Sequence, residues 1–260
     1  MEFLLVSSAN SDEVLRYDAT TGFFLDVFAS GGGLDNPFGL TFGPDGNLYV
    51  SSSLTDQVLR YDGTTGFFLD VFASGGGLDR PDGIIFGPDG NLYVGSLGTD
   101  QVLRYDGTTG FFLDVFASGG GLDGPTGITF GPDGNLYVSS EGTDQVLRYD
   151  GTTGVFLDVF ASGGGLDHPN TGLTFGPDGN FYVSSANSDE VLRYDGTTGF
   201  FIIDIFRLIP ICYRCRAPTI VIVYWLSLAR SPAHRKCDRS RKCRGTASII
   251  IGKRRCTFTG

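Results

Sequence analysis

The sequence predicts an all-β chain of the β-propeller class, and three observations predict it. The stretch Phe-Gly-Pro-Asp-Gly-Asn-Leu-Tyr-Val begins at Phe42, Phe86 and Phe130, and again at Phe175 with Phe181 in place of Leu. The steps of 44, 44 and 45 residues mark one supersecondary unit copied along the chain. Within a unit, short apolar and β-branched runs alternate with Gly, Pro, Asn and Asp turns, and no helical period appears. Each unit holds four such runs, which is the content of a propeller blade.

The elements follow in order. Three strands are expected first, at about Phe3–Ser8, Glu13–Asp18 and Phe23–Ala29, so the first blade lacks its innermost strand. In the next unit Gly43-Pro44-Asp45-Gly46 supplies a preset φ and then a left-handed glycine. It predicts a hairpin turn with a bulge, joining Gly39–Phe42 to Asn47–Ser52. Gln57–Asp62 is the third strand, Gly63-Thr-Thr-Gly66 the next turn, and Phe67–Ala73 the fourth strand. Ser74–Asp79 then leads to the following unit. Four complete units end at Phe206, giving 19 strands in about five four-stranded blades. The Gly-His and Trp-Asp marks of a WD40 repeat are missing. Arg60 precedes Asp70 of the following strand, and this spacing recurs, which predicts a cross-strand ion pair in each blade.

The text changes after Phe206, which divides the chain into repeats at 1–206 and a basic tail at 207–260. All five Cys, the only Trp and every Lys lie in the tail. Six Arg against 28 acidic residues leave the repeats at −22, and 13 basic residues against Asp238 put the tail at +12. The break falls inside a blade, which favours a stretch not selected with the repeats over a functional extension. Cys212, Cys215, His234 and Cys237 have a spacing open to zinc, but a strand-like segment separates the two pairs. That segment, Thr219–Tyr224, is expected to pair with Phe3–Ser8 and close the ring, leaving residues after about 230 free and without a strand.

Charge and composition exclude several classes. So acidic a body argues against nucleic acid, because phosphate contacts need Lys and Arg. No apolar run reaches membrane-spanning length, and no signal-peptide pattern is expected at Met1–Val6, so the compartment is not legible. The cysteine-free body does not depend on disulfides.

Differences between the units point to a site. One variable spot precedes the inner strand: Asn36-Pro-Phe38, Arg80-Pro-Asp82, Gly124-Pro-Thr126 and His168-Pro-Asn170-Thr171. The other lies between the second and third strands and includes Ser53, Leu97, Glu141 and Ala186. Both belong on one face, around the mouth of the central channel, where loops vary on a rigid scaffold. The candidate binding residues are Asn36, Arg80, Asp82, Glu141, His168 and Asn170. Drift in exposed loops accounts for the same variation. No nucleophile motif, phosphate loop or calcium loop is present, so no catalytic residue and no cofactor are assigned.

Pro-x-Gly-Leu-Thr-Phe-Gly-Pro-Asp-Gly-Asn-Leu-Tyr-Val-Ser, followed by Asp-Gln-Val-Leu-Arg-Tyr-Asp and Thr-Thr-Gly, resembles NHL-type propeller repeats. These are similar to the streptogramin (virginiamycin B) lyase-like and SMP-30/gluconolactonase-like group. The resemblance implies six blades, and either a binding propeller or a metal-dependent lyase or lactonase. In the latter His168 would stand as base and Glu141 as metal-binding carboxylate. The expected function is a binding scaffold whose loop face takes a peptide, glycan or other partner. One alternative is a lyase or lactonase using a divalent metal. A truncated or frame-slipped propeller without its own activity is the other.

Overall fold

Turn chemistry sets the architecture. In the computed structural model, which describes residues 2–207, 248–251 and 254–257, Gly46 takes φ 79° and its N–H donates to Gly43 O at 2.9 Å. Asp45 anchors this turn by accepting from Asn47 N (3.1 Å), Asn47 Nδ2 (2.7 Å) and the Tyr49 hydroxyl (3.1 Å). At the next hairpin Asp62 Oδ1 accepts from Thr64 N, Thr65 N and Thr65 Oγ1, and Asp62 N donates to Phe67 O. That last bond draws Phe67 into the turn, so the outer strand begins one residue later than expected.

Nineteen strands form five blades, each an antiparallel meander. Blade 1 has three strands, β1 (Phe3–Ser8), β2 (Glu13–Asp18) and β3 (Phe24–Ser30). Blade 2 has four: β4 (Pro37–Phe42), β5 (Leu48–Ser52), β6 (Gln57–Tyr61) and β7 (Phe68–Ser74). Blade 3 runs from β8 (Pro81–Phe86) through β9 (Leu92–Ser96) and β10 (Gln101–Tyr105) to β11 (Phe112–Ser118). Blade 4 comprises β12 (Pro125–Phe130), β13 (Leu136–Ser140), β14 (Gln145–Tyr149) and β15 (Phe156–Ser162). Blade 5 comprises β16 (Pro169–Phe175), β17 (Phe181–Ser185), β18 (Glu190–Tyr194) and β19 (Phe201–Arg207). The bulge expected at the Pro-Asp-Gly turn is present, Gly43 N donating to Asn47 O while Gly46 N donates to Gly43 O, and a second irregularity lies inside the inner strand, between Pro37 and Leu40. In β16 the corresponding shift, between Pro169 and Leu173, takes up the extra residue of the 45-residue step.

The core sits between blades. Leu5, Val14 and Phe28 of blade 1 pack on Leu48, Val50, Leu59 and Tyr61 of blade 2, and the same arrangement recurs at the next three junctions. Tyr49 stands edge-on to Phe72 of its own blade (4.8 Å) and to Phe86 of the next (4.9 Å), a preferred aromatic geometry. Two polar links recur at all four described junctions, and a third, from a strand serine, is missing where Gly95 replaces it in blade 3. Tyr61 donates its hydroxyl to Gly31 O (2.8 Å), and Arg80 N donates to Asp56 Oδ1 (2.8 Å). Ser51 Oγ accepts from Gly39 N and donates to Asp82 O, each at 2.7 Å. The expected ion pair is present in blades 1 to 4, but in blade 5 Arg193 lies opposite Ile203. In blade 2 Arg60 lies opposite Asp70, with Nε to Oδ1 at 3.1 Å and the guanidinium 5.3 Å over the Phe72 ring.

The two end blades show open faces. Leu4 occupies the position of Leu48, yet it is 37% exposed against 1%. At the other end Tyr182 and Val191 are half-buried where Tyr49 and Val58 are fully buried. Among the described residues no hydrophobic cluster joins blade 5 to blade 1. The proposed closing strand, 219–224, lies outside the described residues, as do Cys212, Cys215, His234 and Cys237. The expectation that nothing after about 230 forms a strand is corrected. β20 (Ser248–Ile251) pairs antiparallel with β21 (Arg254–Thr257), because three consecutive Ile at 249–251 favour extended backbone.

Candidate functional site on the loop face

The two variable spots of each blade are tied together by backbone bonds. Ser53 N donates to Asn36 O, Leu97 N to Arg80 O, Glu141 N to Gly124 O and Ala186 N to His168 O, at 3.0–3.3 Å. The residue before each inner-strand Pro is left-handed: Asn36 at φ 54°, Arg80 at 50°, Gly124 at 63° and His168 at 59°. An Asp of the preceding blade stabilises each by accepting its N–H, through Asp12, Asp56, Asp100 and Asp144 respectively. Variable side chains therefore stand on a backbone of the same geometry at each of the four described junctions.

Blade 4 and blade 5 bring two candidates into contact. A single 3-10 turn, Glu141–Thr143, follows β13. It presents Glu141, whose Oε1 lies 2.8 Å from His168 Nε2. Asp144, in the same loop, holds the His168 backbone at 2.7 Å, so one loop fixes both the ring and the main chain of His168. The imidazole is 40% exposed and the carboxylate 26%, which leaves the pair open to a ligand.

Asp82, a candidate of the variable spots, lies on a strand and not in a loop. It sits on β8, 4% exposed, with Oδ1 lacking a hydrogen-bond partner. Burial, with a smaller contribution from Glu141, pushes its carboxyl up to about 8, so at neutral pH it is a proton donor rather than an anion. Thr171 Oγ1 on β16 is likewise buried without a partner, and Thr126 Oγ1 donates to Pro169 O at 3.0 Å. Both Thr belong to the variable triplets, whose position just after Pro on the inner strand was the available signal.

The remaining candidates are more peripheral to this trio. Arg80 is exposed, 3.8 Å from the Asp79 carboxylate. Asn170 is committed locally, its O accepting from Ser139 Oγ (3.3 Å) and its Oδ1 from Thr171 N (2.7 Å). Asn36 lies at the blade 1–blade 2 boundary, held by Asp12. Among the described residues no group of three or more His, Cys, Asp or Glu side chains is placed to hold a metal ion. The donor set does not fit a divalent metal: Glu141 is engaged with His168, and Asp82 keeps its proton.

A family model described as SMP-30/Gluconolactonase/LRE-like region matches residues 7–142, just over half of the chain. No curated protein matches. Among solved structures, selenomethionine-substituted virginiamycin B lyase from Staphylococcus aureus aligns with TM-score 0.58 at 17% identity, over 76% of this chain and 67% of that one. A catalytically inactive variant of the same lyase with quinupristin gives TM-score 0.61 at 17% identity, over 84% and 72%. A streptogramin B lyase structure gives 0.57 at 18% identity, over 77% and 66%. At these identities the likeness is one of fold.

Proposed function

The chain belongs to the SMP-30/gluconolactonase/LRE-like family, and from that premise we propose that it is a binding propeller whose loop face takes a polar ligand, a peptide or a glycan. The observation that carries this reading is the His168–Glu141 pair, held across a blade boundary on the face that also contains the unpartnered Asp82 carboxyl. Such a set offers a ligand one neutral donor and one imidazole–carboxylate couple. Buried polar atoms lacking partners gain more from a ligand that satisfies them than exposed ones do. Peptide and glycan arrays probed with the whole chain should yield a ligand whose binding weakens with Arg80→Ala, Asp82→Asn, Glu141→Gln or His168→Ala. Larger losses from Asn47→Ala or Asn91→Ala, on the opposite face and with folding intact, would overturn the assignment.

A lyase or lactonase is the second reading, favoured by the family and by the same contact. Glu141 would orient the His168 imidazole as general base, and protonated Asp82 would serve as acid. Turnover of quinupristin or a simple lactone, lost in His168→Ala, would support it. Dependence of that turnover on an added divalent ion would show that a ligand brings together donors the free site does not.

A further inference from the structure

The edge of β1 is a second candidate surface, independent of the loop face. In blades 2 to 5 the corresponding edge, on β5, β9, β13 and β17, is covered by an inner strand of the pattern Pro-x-Gly-Leu/Ile-x-Phe, with one extra residue before Gly in β16. β1 carries Leu-Leu-Val-Ser-Ser where β5 and β13 carry Leu-Tyr-Val-Ser-Ser, but among the described residues it is the outermost strand of a three-stranded sheet. Leu4 and Phe3 are 37% and 41% exposed. Ser51 Oγ both accepts from its own inner strand and donates to the next blade, whereas Ser7 Oγ makes only the second bond, to Phe38 O at 2.8 Å.

We propose that the β1 edge binds, by strand addition, an extended segment of another polypeptide carrying Pro-x-Gly-Leu/Ile-x-Phe. The four internal copies dictate this chemistry. Their register places Pro opposite Ser52, Leu40 opposite Val50, Thr41 opposite Tyr49 and Phe42 opposite Leu48. By the same register the incoming segment sets Pro opposite Ser8, Leu opposite Val6 and Phe opposite Leu4. Its Gly N–H donates to Ser7 Oγ, and its Leu and Phe cover Leu4 and Val6. Gly is required because a Cβ at Gly39 or Gly83 would run into the carbonyl of Asp82 or Thr126 in the next blade. Beside blade 1, the neighbouring blade 2 offers the carbonyl of Phe38 at that point. The four inner strands of a second copy are already paired in their own blades, so they are not the source. Ladder hydrogen bonds supply affinity and the alternate side chains supply selectivity.

The test uses the full chain and a labelled peptide, Asn-Pro-Phe-Gly-Leu-Thr-Phe-Gly, copied from residues 36–43. Saturable one-to-one binding is expected, together with slowed amide exchange confined to residues 3–8. A peptide with Val in place of Gly should bind at least about tenfold more weakly. This change leaves the protein untouched, so no failure to fold intervenes. Four results overturn the proposal: no saturation, equal binding of the Val peptide, protection outside residues 3–8, or exchange at residues 3–8 of the free chain already as slow as at 48–52. The last would mean that the chain, or a second copy of it, fills the edge itself.

Discussion

Ser51 donates its hydroxyl to the backbone carbonyl of Asp82 across the boundary between blades 2 and 3, at 2.7 Å, with both residues buried. Its own N–H donor is Gly39, so one oxygen fastens two inner strands. Ser7 and Ser139 repeat the outgoing bond to Phe38 O and Asn170 O. Ser184 occupies the same position in blade 5, and its buried Oγ has no partner, since among the described residues no inner strand lies beyond it.

Ser51→Ala therefore leaves a buried amide and a buried carbonyl short of a bond and should cost about 1–3 kcal/mol. Ser184→Ala removes no bond and should be close to neutral. Denaturant midpoints of the two variants at pH 7 check the contrast. A similar loss in both would show that the hydroxyls do not act as junction links.

Asp82 gives the chain a pH dependence of unusual sign for an acid. Its folded carboxyl titrates near 8, against about 4 for an unfolded Asp. Between those values the folded state holds a proton that the unfolded state has released. Stability from this group is thus complete below about pH 4 and declines as pH rises toward 8. Asp82→Asn should remove that slope and exceed the parent in stability at pH 8, by on the order of a few kcal/mol. Chemical denaturation of both proteins from pH 4 to 8 measures the difference. A parallel pair of curves would mean that Asp82 is ionised in the fold.

Arg193 shows where the repeat gives way. Arg148 faces Asp158 across its ladder, but Arg193 faces Ile203, and its buried Nε has no partner. Among the described side chains, Asp178 lies 4.0 Å from it. The double change Ile203→Asp with Asp204→Val gives Ile-Asp-Val, which places Asp in the register it has in the Leu-Asp-Val of the other outer strands. It should stabilise by roughly 0.5–1 kcal/mol, the scale of a half-exposed ion pair. Thermal melts at low and high salt check it, since the gain should shrink with screening.

The blade was legible because its turns are local. Pro44, Asp45 and Gly46, or Asp62 and Thr65, bond within a few residues of one another, and sequence order alone places them. The junctions were not. Ser51 reads as an ordinary strand residue, and its bond to Asp82 spans 31 positions and depends on how blades abut. Inter-unit variation singled out His168 and Glu141, yet their contact depends on the fit of blade 4 to blade 5. Asp82 was chosen as a variable residue of the loop face and lies buried on the inner strand, beside the register shift between Pro81 and Ile84. In the tail the Ile run at 249–251 was present to be read, but the surrounding charge outweighed it.

The Tyr61-type and Arg80-type links join nearest neighbours and use the same positions at all four described junctions, so these two links do not record which blade they belong to. Excising 44 residues, Pro81 to Gly124, would bring Arg80 directly before Pro125, again a left-handed residue followed by Pro. Asp56 would still hold Arg80 N, and Ser51 would meet the carbonyl of Thr126 in place of that of Asp82. Recombination between two repeats of the coding sequence can therefore shorten or lengthen the arc by whole units without creating a mismatched joint.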